Sequence, residues 1–269
     1  MLDAITLTLG VIVGVFVGSA AGYLGSIMVS KRMALVGDAL SHVALLGLAL
    51  GILFNFNPFV GAFVFLAGSV IVTWYLQKST TLSVEAIIGV LFVLSLAIGI
   101  LITPQVDLLE VLFGDVSKIT VTDAIITAIV SVFVIFVTRK IYEKLAVSML
   151  SKELAIASRI NVERVNLIFL LLVATIVAIG IKEVGTLLVG AVVIVPAAAA
   201  KNVSSTLSRY SLLSAIFGLI SATSGVTLSG YVNIAAGPLV VIVGVVIFAA
   251  GFTVSFISKR LLNKRVTAA

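Results

Sequence analysis

Apolar residues in this chain fall in long unbroken runs rather than in the half-polar stripes of a soluble helix or strand. Nine runs can be marked, at about 4–28, 38–54, 58–76, 85–103, 122–138, 165–181, 184–200, 211–231 and 237–257. Each is close to the roughly 17–25 residues that a helix needs to cross a bilayer. The pattern predicts an all-α fold, a polytopic transmembrane helix bundle of eight to nine spans forming one domain over residues 1–269. Almost no chain is left for a separate extramembrane unit.

The charges between the runs suggest an orientation. With nine crossings and the N-terminus outside, only Lys118 and Lys182 of the 17 basic residues face out, which leaves 15 in the cytoplasm with the C-terminus. That asymmetry follows the positive-inside rule. The net charge of +6 is therefore read as topology, not as a nucleic-acid footprint, and no nucleic-acid partner is expected. A content of 61% hydrophobic and 10% charged residues agrees with a multi-pass protein of the inner or cytoplasmic cell membrane. The absence of Cys excludes disulfides, thiolate metal sites and thiol nucleophiles. No Gly-rich phosphate loop, Gly-x-Ser-x-Gly elbow or His-Glu-x-x-His pair occurs, so the chain reads as a transport subunit with no enzyme activity and no permanently bound cofactor, the alternative being a membrane enzyme with a metal held by His42.

Smaller features refine the plan. Gly10, Gly14, Gly18 and Gly22 form a stripe that suits close packing, chiefly within the chain. Residues 104–121 mix Asp107, Glu110 and Asp115 with Leu and Phe, the pattern of a short amphipathic surface helix. The basic loop at 139–164 holds a predicted helix at 151–159. Pro196 is expected to kink or end its helix, and a short flat cytoplasmic helix is expected at about 198–210, with Lys201, Asn202, Ser204, Ser205 and Arg209 as its polar positions.

The candidate chemistry lies at the head of the second run. His42 is the one histidine in the chain, and Asp38 stands one helical turn before it, so both side chains share a face. Ionisable groups inside a span are costly and usually mark a functional path. A carboxylate and an imidazole suit zinc, manganese or iron(II), and two copies across a two-fold axis would supply four ligands. The alternative is an Asp38 helix cap followed by a hydrogen-bonded packing histidine.

Four stretches in order carry a resemblance: SKRMALVGDALSHVALLGLALG at 30–51, VEAIIGVLFVLSLAIGILI at 84–102, VLFGD at 111–115 and VGTLLVGAVVIVPAAAAKNVSSTLSR at 184–209. Together they resemble the membrane permease of ATP-binding-cassette importers for zinc, manganese or iron. The resemblance implies a permease homodimer, two cytoplasmic ATPase subunits, an extracytoplasmic metal-binding protein and a transported divalent metal. It also implies that Asp38 and His42 touch that metal, and that the segment at about 198–210 couples to the ATPase. At 148–160 the chain reads SMLSKELAIASRI, where relatives often have an Asp-Pro-Glu-like stretch, so the resemblance assigns no role to that loop. The competing reading is an ion-gradient-driven secondary transporter that uses Asp38 and His42 as a proton relay.

Overall fold

The computed structural model describes residues 4–102, 112–114, 116–186, 188–232 and 234–266. They form ten α-helices: α1 Ala4–Ser30, α2 Val36–Leu53, α3 Pro58–Ser79, α4 Val84–Ile102, α5 Val121–Leu150, α6 Lys152–Ala157, α7 Val162–Val184, α8 Val189–Val203, α9 Leu207–Val232 and α10 Ala236–Val266. No strand occurs among the described residues. Local chemistry accounts for several helix starts. Asn57 caps α3 just before Pro58, Thr120 and Asp123 make a capping box on α5, and Asn161 caps α7.

Among the described residues seven helices are long and apolar enough to cross a bilayer: α1, α2, α3, α5, α7, α9 and α10. The expected count of eight to nine therefore falls to seven. The two remaining runs are α4, a 19-residue helix whose apolar stretch is followed over the described residues to Gly99, and α8, with 15 residues. Helix α8 is short because the chain reverses at Gly185, whose φ of 82° places it in the region that favours glycine. Pro196 neither ends nor delimits α8, which runs on to Val203. Proline deletes one backbone hydrogen bond, and here the ring is buried among neighbouring helices that sustain the turn around it. As a result, no separate flat helix forms at 198–210. Residues 198–203 finish α8, 204–206 make a break, and α9 begins at Leu207. The short helix expected at 151–159 is present as α6. The predicted amphipathic helix, with Asp107, Glu110 and Asp115, lies largely outside the described residues.

Small residues hold the spans together. A side chain at Gly18 would collide with the Gly218 carbonyl, and one at Gly218 with the Gly18 carbonyl, so α1 and α9 touch backbone to backbone. The Ser214 hydroxyl donates to the Gly22 carbonyl at 2.5 Å, and that of Ser26 to Ser211 Oγ at 3.0 Å. The glycine stripe of α1 thus serves packing within the chain, where dispersion and interhelical hydrogen bonds replace the hydrophobic effect that lipid abolishes. Gly47 and Gly61 repeat the arrangement between α2 and α3.

Polar contacts sort to the two ends of the bundle. Lys78 at the end of α3 pairs with Glu163 at the start of α7 at 3.0 Å, and Lys31 donates to Asn166 Oδ1 while lying over the Phe169 ring. At the opposite end Lys182 of α7 meets Asp123 of α5 at 2.5 Å.

Candidate metal pathway site

Helix α2 begins at Val36, with Leu35 before it making no side-chain cap, so Asp38 is the third helical residue and caps nothing. The Ser41 hydroxyl donates to the Asp38 carbonyl oxygen at 2.6 Å and is thereby engaged within the helix. His42 is 8% exposed, and its Nδ1 is buried without a hydrogen-bond partner. The ring leans on Phe92 of α4 with centroids 5.0 Å apart. Neither half of the capping alternative survives: the aspartate is past the cap, and the histidine is not anchored by a hydrogen bond at Nδ1. An unpartnered imidazole nitrogen and a half-buried carboxylate thus share one face of α2.

Contacts to α1 and α8 fix the depth of the pair. Gly180 of α7 faces both Val17 of α1 and Val189, while Gly25 of α1 abuts the Val193 carbonyl. Gly190, between those two levels of α8, sits directly against Asp38. Asp38 therefore lies level with the part of α1 between Val17 and Gly25, roughly 7–20 Å from the Ser30 end at 1.5 Å per residue. His42 lies one turn further toward the other end of the bundle.

Among the described residues no group of three or more His, Asp or Glu side chains converges to hold a metal. Among the described residues Asp38 and His42 stand as a pair, with no third such side chain beside them. Glu183 is fully buried, against Gly14 of α1, on a different part of the bundle. The candidate coupling residues collect where α8 ends and α9 begins. Lys201, Ser205 and Arg209 are exposed, Asn202 and Ser204 are half-buried, and all are far along α8 from Asp38.

Sequence reasoning missed two supports of the pair. Phe92 backs the imidazole from α4, and Gly190 gives Asp38 its room from α8. The only sequence signal for Gly190 was its place in the VGTLLVG run. Nothing in local periodicity couples it to a residue some 150 positions earlier.

Comparison with known proteins decides what kind of bundle this is. The model of the ABC 3 transport family matches residues 4–255. This chain belongs to that family. It is 33% identical over 240 residues to the high-affinity zinc uptake system membrane protein ZnuB of Haemophilus influenzae, covering 87% of this chain and 92% of that protein. It is 31% identical over 245 residues to the manganese transport system membrane protein MntC of Listeria monocytogenes, covering 90% and 88%. Among solved structures it is similar to PsaBC from Streptococcus pneumoniae in complex with Fab, with a TM-score of 0.81, 28% identity, and 92% and 91% of the two chains covered. The family permease fold extends over nearly the whole chain.

Proposed function

We propose that this family member conducts a divalent transition metal, zinc or manganese, into the cytoplasm as the membrane subunit of an ATP-driven importer. The observation that carries the reading is the Asp38–His42 pair on one face of α2, with an imidazole Nδ1 that the fold leaves unpartnered. The relatives named for zinc and manganese support the cargo class. Two such pairs brought together across a two-fold axis would ligate the metal through two imidazoles and two carboxylates, without the thiolates that hold zinc too firmly to release. The entering ion would exchange its hydration shell for these four groups, with Phe92 packed against the imidazole.

In this reading two cytoplasmic ATPase subunits supply the free energy, and an extracytoplasmic metal-binding protein delivers the ion. The exposed junction with Lys201, Asn202, Ser204, Ser205 and Arg209 receives the ATPase. The N-terminus lies outside and the C-terminus inside, which single-cysteine labelling of this naturally cysteine-free chain tests directly. The decisive experiment is ATP-dependent uptake of radioactive zinc or manganese by vesicles holding the assembled transporter. Asp38→Asn and His42→Ala are expected to abolish uptake while the complex still assembles, and unchanged uptake would remove the site assignment. Uptake driven by an ion gradient without ATPase subunits would favour the secondary-transporter reading instead.

A further inference from the structure

A second polar site stands at the end of the bundle opposite Lys31 and Lys78, away from the metal pair. Helices α3 and α5 both pack on α7 but not closely on each other, which leaves a groove floored by α7. The cavity measures about 400 Å3. Its walls are Phe63 of α3 and Ile126 and Val130 of α5, and its floor includes Ala178 and Ile179 of α7. From Lys182 down to Thr175 it runs seven residues along α7, roughly 10 Å into the membrane. Phe63 and Ile126 are 46% and 51% exposed, so the groove opens sideways on a face that the membrane reading places in hydrocarbon. The groove below its mouth is lined mostly by apolar side chains, for which lipid chains are the natural solvent.

The mouth is charged. Lys182, Asp123 and the α3 cap Asn57 all line it, and each sits at a helix end, at the level of lipid headgroups. The Lys182 ammonium touches Asp123 Oδ2 at 2.5 Å and lies 5.3 Å above the Phe59 ring. Asp123 Oδ2 also accepts from the Thr120 backbone N–H at 2.8 Å and from its hydroxyl at 2.6 Å. None of these bonds uses Oδ1, and an ammonium has three protons to donate, of which this pair occupies one. The N-termini of α3 and α5 add positive potential at the same mouth.

We propose that this groove binds a zwitterionic phospholipid with a primary ammonium headgroup, one acyl chain lying between α3 and α5. Lys182 receives the phosphate, Asp123 Oδ1 receives the lipid ammonium, and the upper chain fills the 10 Å crevice. The lipid closes the gap between helices that otherwise meet only through α7. Neither the family match nor the transported metal assigns such a site, and the inference does not depend on either.

The test uses the purified full chain in detergent, titrated with palmitoyl-oleoyl phosphatidylethanolamine, phosphatidylcholine or phosphatidylglycerol. Thermal midpoint and native mass spectrometry are the readouts. Phosphatidylethanolamine is expected to raise the midpoint and to remain bound at one molecule per chain, at least tenfold tighter than the other two. The trimethylammonium of phosphatidylcholine cannot donate to Asp123, and phosphatidylglycerol has no cation. Lys182→Met is expected to weaken binding about tenfold. Because that change also breaks an ion pair, Ile126→Trp serves as the second variant: it fills the groove from an exposed position and is expected to block lipid while the fold stays intact. Equal affinity for all three lipids, binding undiminished by Ile126→Trp, or a second copy of the chain cross-linking into the groove from position 126 would each overturn the proposal.

Discussion

Gly190→Ala is the most informative single change, because it perturbs Asp38 without altering its chemistry. A Cβ at position 190 would stand 2.6 Å from Asp38 Cα and 2.8 Å from both its Cβ and Oδ1. Carbon atoms rest at about 3.5 Å, so the head of α2 must retreat by roughly 0.9 Å. Two of the three clashing atoms belong to the backbone and the stem of the side chain, which cannot swing aside as a flexible tip would. Overpacking of this kind costs about 1–3 kcal/mol. An active group misplaced by about 1 Å can lose on the order of 100-fold in rate, so metal uptake in reconstituted vesicles is expected to fall by 10- to 100-fold. Gly68→Ala and Gly89→Ala are the controls, since nothing lies within 4 Å of a Cβ at either position. Uptake by Gly190→Ala within twofold of wild type, in a normally assembled complex, would refute the argument that α8 positions Asp38.

Other perturbations separate packing from function. Gly18→Leu drives a side chain into the Gly218 carbonyl and should lower stability by about 1–3 kcal/mol or prevent folding, read as a fall in the detergent-solubilised Tm. Glu183 is wholly buried and neither carboxylate oxygen is hydrogen-bonded, so Glu183→Met should hold or raise the Tm, by up to about 3 kcal/mol in stability; a lower Tm would show that the carboxylate has a stabilising partner. Burial lowers the Lys31 ammonium from 10.5 to about 8. Between those values the unfolded chain binds more protons than the folded one, so stability should rise with pH across that window. The wild-type minus Lys31→Met difference in Tm from pH 7 to 10.5 measures it, and a flat difference would count against the buried placement.

The helical membrane architecture was legible because a bilayer demands unbroken apolar runs, and these are visible residue by residue. The Asp38–His42 pair was legible for the same reason: ionisable groups stand out in such a run. The run 184–200 reads as one apolar segment, although Gly185 and the residues after it break the helix and shorten α8 to Val189–Val203. Proline at 196 looked like a break because its local cost is visible in sequence, whereas the tertiary packing that tolerates it is not. The position of Asp38 along the bundle was likewise out of reach. It depends on Gly190, Val193 and Gly25 meeting across helices, and such contacts between small residues leave no periodic trace.

The central claim is that the transported metal binds the His42 imidazole inside the membrane. Pulsed electron paramagnetic resonance of manganese(II) bound to the permease in nanodiscs reads that ligation directly, through the coupling of the electron spin to imidazole nitrogen. The account predicts a nitrogen coupling in the wild type that vanishes in His42→Ala and persists, with weaker metal binding, in Asp38→Asn. An unchanged nitrogen signal in His42→Ala, or a bound manganese with no nitrogen coupling in the wild type, would contradict it.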